Sequence, residues 1–192
     1  DGKVYAWGGN SYGQLGDGST ADSLGPVLSA VSGKIAKIAA GKTGSQGGGP
    51  SEYYDHVLAV GADGTVQGWG WNGCSQLGGT GTQFCKSPVK IQGLSAISGV
   101  AAGFCTTYAI GVSGTVKSLG LNNYGQLGDG STENSAVPID VSGLEGVAEI
   151  RAGYGFAIAR RSDGTLHSWG LNKGGQLGIG STDDSHVPTQ VK

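Results

Sequence analysis

An all-β fold of repeated four-stranded sheets is predicted by three features of the sequence. The first is a period. YGQLGDGST runs from Tyr12 to Thr20 and returns unchanged from Tyr124 to Thr132, with degenerate copies CSQLGGTGT from Cys74 to Thr82 and GGQLGIGST from Gly174 to Thr182. The glutamines of these copies, Gln14, Gln76, Gln126 and Gln176, stand 62, 50 and 50 residues apart. The second feature is that unrelated markers share the frame: Pro26, Pro88, Pro138 and Pro188; Trp7, Trp69, Leu119 and Trp169; and the turn pairs Asp1-Gly2, Asp63-Gly64, Ser113-Gly114 and Asp163-Gly164. The third is the absence of any capped stretch of 3.6-residue periodicity, which leaves only short alternating runs bounded by glycine.

Each unit then reads strand by strand. GTVQGWG, GTVKSLG and GTLHSWG alternate β-branched and aromatic residues, as a half-buried strand does. The polar QLG loop follows, where glycine supplies positive φ and Asp, Ser and Thr satisfy local backbone groups. Leu15, Leu77, Leu127 and Leu177 are placed to pin each loop to its sheet. Next comes a strand opening on proline, which suits an outer edge because a missing N–H costs least there. AKIAAG, ISGVAAG and AEIRAG are small and apolar on both faces, as befits an innermost strand crowded by neighbours, and HVLAV, TYAI and FAIA supply the second strand.

The order third-outer, followed by three complete inner-second-third-outer sets, makes fourteen strands, or three and a half units. Repeated four-stranded units of this size predict a β-propeller, whose blades pack face to face around a central channel. The chain reads as a single repeat domain, 1–192, in units 1–62, 63–112, 113–162 and the incomplete 163–192. Three and a half blades do not close a ring of about 4 to 8. The expectation is therefore a piece of a larger ring, or self-association through open blade faces.

Composition narrows the function classes. Forty glycines in 192 residues far exceed the usual ~7%, without a collagen register. A net charge of −2 and scattered Lys and Arg leave no footprint for nucleic acid, and no apolar run is long enough for a membrane-spanning helix. Beginning at Asp1-Gly2, in mid-motif and without Met, the chain reads as processed or partial.

The pattern DGTVxxWGxNxxGQLGDGST, then Pro-Val, then a small apolar strand ending AAG, closely resembles the regulator of chromosome condensation repeat family over essentially the whole chain. The Kelch pattern shares the period but does not align. The resemblance implies a propeller, seven-bladed in well-known members, that binds proteins through loops on one face. Members include a nucleotide-exchange factor for the small GTPase Ran, a plant ultraviolet photoreceptor, ubiquitin-ligase accessory domains and a bacterial β-lactamase inhibitor. Fold alone does not choose among them.

Candidate sites lie where the repeat is broken. The first unit carries twelve extra residues, about 42–55, at the inner-to-second turn where the sister units have only Phe104-Cys105 and Tyr154-Gly155. Its Tyr53, Tyr54 and Asp55, with Trp71, which replaces Gly9, Leu121 and Leu171, are the candidate partner-binding residues. Cys74 and Cys85 replace Tyr12/Tyr124 and Ser23/Ser135 within one loop, and a disulfide closing that loop is expected. Cys105 is left as a small core or turn residue. Gln14, Gln76, Gln126 and Gln176, with Trp7, Trp69 and Trp169, are read as structural repeat positions, the tryptophans as inter-blade core.

Other motifs fall short. Ala36 to Thr43 approaches a phosphate loop but lacks its first glycine and opens no helix. Asp183, Asp184 and His186 can hold a metal, although such carboxylates more often cap turns, and no metal or cofactor is expected. No nucleophile with a base and no carboxylate pair stands out. The reading is a non-enzymatic protein-binding or scaffold propeller, extracellular or at the cell surface, with a cytoplasmic setting as the alternative. Second comes a self-assembling structural or carbohydrate-binding surface protein, and third a guanine-nucleotide exchange factor for a small GTPase.

Overall fold

The computed structural model describes residues 2–41 and 55–192. Their strands fall into one half sheet and three complete sheets, all antiparallel. β1 (Tyr5–Gly8) pairs with β2 (Ser23–Leu28). The next sheet runs in order β3 (Ile35–Ala40), β4 (His56–Gly61), β5 (Val66–Trp71) and β6 (Phe84–Lys90). β7 (Ile97–Ala102), β8 (Thr106–Gly111), β9 (Val116–Gly120) and β10 (Ser135–Asp140) repeat that meander, as do β11 (Val147–Ala152), β12 (Phe156–Arg161), β13 (Leu166–Gly170) and β14 (Ser185–Gln190). These are the blades of a β-propeller, about three and a half of them. None of the described residues is helical, and no helix is long and apolar enough to cross a membrane.

The small apolar strands lie innermost, as their composition predicts. β7 packs against both β3 and β11, and the strand ends almost touch: a Cβ at Gly41 would stand 3.2 Å from the Gly103 carbonyl, and one at Gly103 would stand 3.3 Å from that of Gly153. Larger residues would force the inner strands apart. Each sequence unit thus gives its third and outer strands to one blade in sequence and its inner and second strands to the next, so adjoining blades are tied by the chain as well as by packing.

Apolar burial sits between blades. Val4, Ala59 and Trp69 form the layer between the half blade and its neighbour. Leu58, Leu77, Ile97, Ala109 and Leu119 belong to the next layer, and Tyr108, Ile110, Ile150 and Trp169 to the last. Trp69 and Trp169 are wholly buried, whereas Trp7 is 65% exposed. The expected core role thus describes Trp69 and Trp169 but not Trp7. Each buried tryptophan covers the loop of the preceding blade, and among the described residues no blade precedes β1.

The outer strands differ from the expectation in one respect. They start before the proline, which lies inside the strand: Pro26 in SLGPVL, Pro88 in FCKSPVK, Pro138 in SAVPID and Pro188 in SHVPTQ. In all four the proline falls within a break of register, for example between the pairs Gly68↔Val89 and Gly70↔Cys85. A β-bulge leaves the ladder locally unmade, so the absent N–H costs nothing there and the strand continues on both sides.

Candidate functional site

The loops after the third strands and the turns between inner and second strands lie at the same end of each blade, because His56 at the start of β4 pairs with Gly70 at the end of β5. Each loop is organised around a buried asparagine. Asn122 Oδ1 accepts the Leu127 N–H at 2.8 Å, its Nδ2 donates to the Ser131 carbonyl and hydroxyl at 3.2 Å, and its N–H donates to Asn134. Asn10, Asn72 and Asn172 do the same work, with the Leu15, Leu77 and Leu177 N–H groups bound at 2.8–2.9 Å. The glutamines act locally: Gln14, Gln76, Gln126 and Gln176 each accept, through Oε1, the N–H two residues earlier. The asparagine hub was not singled out from the sequence, although its 62-50-50 spacing was there to be read.

The loops are fastened between blades through the glutamine carbonyls. Trp69 Nε1 donates to the Gln14 carbonyl and Trp169 Nε1 to that of Gln126, both at 2.8 Å. Where Leu119 replaces tryptophan, the hydroxyl of Thr107 donates to the Gln76 carbonyl at 2.7 Å instead. That hydroxyl in turn lies 3.2 Å from His56 Nε2, so His56 is the donor and Thr107 relays. Complete burial of His56 depresses its pKa to about 4, which keeps the ring neutral at ordinary pH.

The breaks in the repeat gather on this loop face. Tyr53 and Tyr54 lie outside the described residues. Asp55 is half-buried and its carbonyl accepts the Trp71 N–H at 2.9 Å. The Trp71 ring meets Tyr12 of the preceding loop edge-on, with centroids 4.9 Å apart, and the ring of Phe84, the cross-strand partner of Trp71, stands 6.0 Å from Tyr12. Trp71 also covers Gly73 so closely that a side chain there would collide with its indole. Along the same face the Phe104 and Tyr154 rings of successive inner-to-second turns lie 4.6 Å apart. The insertion thus leaves from a face that already presents a band of aromatic side chains.

The expected Cys74–Cys85 bridge is not formed; all three cysteines are free thiols. Cys85 is buried, 3.7 Å from the Thr82 hydroxyl and 4.0 Å from that of Thr80. The thiol of Cys74 instead contacts that of Cys105 in the next blade, beside Trp71. A shared loop is a poor guide here: Cys74 lies beside a residue of the next blade, whereas Cys85 faces the hydroxyls of Thr80 and Thr82 in its own loop.

Asp184 Oδ1 caps the Asn172 N–H at 2.8 Å, and the His186 side chain packs against Gly125. Among the described residues no three His, Cys, Asp or Glu side chains converge as a metal site. Arg151 and Arg160 share Glu149, and Arg161 pairs with Asp163, so each arginine of this small cluster has a carboxylate partner.

Meanders packed face to face about converging inner strands, with asparagine-centred loops on one face, define a propeller-forming repeat protein. The chain belongs to the regulator of chromosome condensation (RCC1) repeat family: the repeat matches residues 1–45, 113–160 and 163–192, and a second description of the same repeat matches 147–176. Residues 46–112 fall outside these matches, and they include most of the insertion, Trp71 and all three cysteines.

The chain is 37% identical over 105 residues to the ultraviolet-B receptor UVR8 of Arabidopsis thaliana, which covers 53% of this chain and 21% of the receptor. It is 35% identical over 96 residues to the human E3 ubiquitin-protein ligase HERC2, covering 49% of this chain and 2% of the ligase. It therefore spans no more than about a fifth of either relative. Human WBSCR16 superposes on the whole chain with a TM-score of 0.82 at 28% identity, 48% of that structure being covered. Yeast RCC1 (Prp20), solved with Kap60 bound, gives 0.82 at 22% over 45% of its length, a likeness of fold.

Proposed function

We propose that the chain is a non-enzymatic protein-binding module that captures its partner on the loop face, through the insertion at 42–55 and the aromatic band next to it. The observation that carries this reading is the cluster of Trp71, Tyr12 and Phe84 rings on the loop face, next to Asp55 at the end of the insertion. Large amphipathic rings on a rigid scaffold are the usual anchors of protein interfaces. The relatives lend support by their own partners: one yeast RCC1 structure holds Kap60, and another is described with binding to Gsp1p and histones. The proposal makes no use of an extracellular setting, whose support among the residues was the Cys74–Cys85 bridge.

Deleting residues 44–51 is expected to abolish partner capture in a cross-linking pull-down while leaving the melting temperature unchanged. Undiminished capture by the deletion variant would remove the insertion from the interface.

A second reading, assembly through an open blade face, has one observation in its favour. Tyr5, Trp7 and Ile38 are exposed around a cleft of about 620 Å³ between β1 and the strands β3 and β4. Among the described residues β1 pairs only with β2. Sedimentation of the chain distinguishes the readings: a concentration-dependent dimer supports assembly, and a monomer at all concentrations opposes it.

A further inference from the structure

We propose that Cys74 and Cys105 form a thiol site that reacts with low-molecular-weight disulfides and closes into a reversible disulfide between adjacent blades. The pairing has a geometric basis in the repeat itself. Tyr124 and Gly155 occupy the same frame one unit later, 50 residues on, and a Cβ built at Gly155 stands 3.0 Å from the Tyr124 ring. Residue 105 carries the side chain that Gly155 lacks, so it points at the position Cys74 occupies.

The backbone makes this placement costly. Cys105 holds φ at +54°, in the left-handed region where its counterpart Gly155 sits at +71°. A side chain in that region is strained. Ser75, next to Cys74, replaces Gly13, Gly125 and Gly175 at φ +60° in the same way. The two cysteines thus meet through side chains at positions bordered or occupied by glycine in the sister units.

Their environments divide the labour. The neighbouring Cys105 thiol holds the Cys74 thiol below its ordinary pKa. The same proximity, with burial, pushes Cys105 up. Cys74 is half-buried and reachable, whereas Cys105 is buried. An accessible thiol of lowered pKa beside a second thiol is the arrangement of an attacking and a resolving cysteine.

The step balances with a small disulfide RSSR as oxidant. The Cys74 thiolate attacks one sulfur, forming Cys74–S–S–R and releasing RS⁻, which takes up the proton that Cys74 gave to solvent. Cys105 then loses its proton and displaces the second RS⁻ from the mixed disulfide, leaving Cys74–S–S–Cys105 and a second RSH. Two thiols of the protein are oxidised and one RSSR is reduced to two RSH. The bond would lock the β5–β6 loop of one blade to the β7–β8 turn of the next. This inference is independent of the proposed partner binding.

The test treats the reduced chain with glutathione disulfide and maps the products by peptide mass spectrometry. The wild type is expected to lose two of its three titratable thiols, to yield a Cys74–Cys105 peptide, and to recover all of them with dithiothreitol. Cys85→Ser should behave as wild type. Cys105→Gly, which restores the sister unit's residue, should stop at a glutathione adduct on Cys74. Cys74→Ser should leave position 105 unmodified. A Cys74–Cys85 peptide, a persistent adduct on the wild type, or no reaction at Cys74 would each overturn the proposal.

Discussion

The indole N–H of Trp169 donates to the backbone carbonyl of Gln126, 43 residues earlier in the chain, at 2.8 Å. The contact joins the core of one blade to the loop of the blade before it, and Trp69 makes the same bond to Gln14. Leu119 has no donor to offer, and Thr107 takes over from the neighbouring strand. Inter-blade cohesion therefore depends on a donor reaching each buried glutamine carbonyl, from whichever strand can supply it.

Thr107→Val tests that dependence. Valine matches threonine in shape but leaves the Gln76 carbonyl and the His56 N–H without partners, at about 1–3 kcal/mol for each buried group. Urea unfolding should show a total loss of about 2–6 kcal/mol, while Thr107→Ser, which keeps the hydroxyl, should lose under half of that.

Asn122→Ala removes the acceptor for the Leu127 N–H and the donor to Ser131 together. A cost of about 2–4 kcal/mol is expected. Asn122→Asp keeps the acceptor but sets a carboxylate against Asp129 Oδ1, which Asn122 Nδ2 now approaches at 3.3 Å. Its stability should fall as pH rises through the carboxylate range, a trend the alanine variant lacks. Thermal melts at several pH values read both.

The buried His56 makes stability pH-dependent. Its folded pKa, about 4, lies below the unfolded value near 6.5, so between those values the unfolded chain binds the extra proton. Stability is then full above about pH 6.5, falls as pH drops through the window, and levels off below about pH 4. The total loss is about 3 kcal/mol. His56→Gln should be less stable at pH 7 but should lack this slope, as measured by denaturant midpoints from pH 7 to pH 4.

Two glycines with similar backbones should respond differently. Gly170 has φ +101° and a Cβ there would run into the Gly155 carbonyl and the Phe156 Cα, whereas Gly130 has φ +92° and its nearest neighbour is Val187 at 3.7 Å. Gly130→Ala carries only backbone strain, about 1–2 kcal/mol. Gly170→Ala adds backbone collision and should cost more than about 4 kcal/mol, enough to be seen as loss of soluble folded protein.

Much of this architecture is legible in the residues because a repeat states the same local rule several times. The runs GTVQGWG and AKIAAG identify their strands by alternation and by smallness, both properties of the chain segment itself. The outer strands were read one step short because proline is a strand-breaker in a regular ladder, and only the partner strand reveals that Pro26, Pro88, Pro138 and Pro188 sit in bulges. The asparagine hub escaped notice for a related reason: a buried polar side chain and an exposed one look alike in sequence. Of the candidate binding residues, Asp55 and Trp71 are joined by a backbone hydrogen bond that recurs from Leu121 to Cys105 and from Leu171 to Gly155, so the repeat frame itself sets them side by side.

The amino-acid sequence by itself determined the all-β class, the blade period, the strand order and the two places where the repeat is broken. These follow from turn chemistry, side-chain alternation and spacing, which act over a few neighbouring residues. Tertiary structure alone decided which thiol faces Cys74, why Trp7 is exposed while Trp69 and Trp169 are buried, and how Thr107 stands in for a missing tryptophan. Each of those depends on what the adjacent blade places across the interface, at sequence separations such as the 31 residues between Gln76 and Thr107. Packing between blades sets such contacts, and the local pattern of either partner does not encode them.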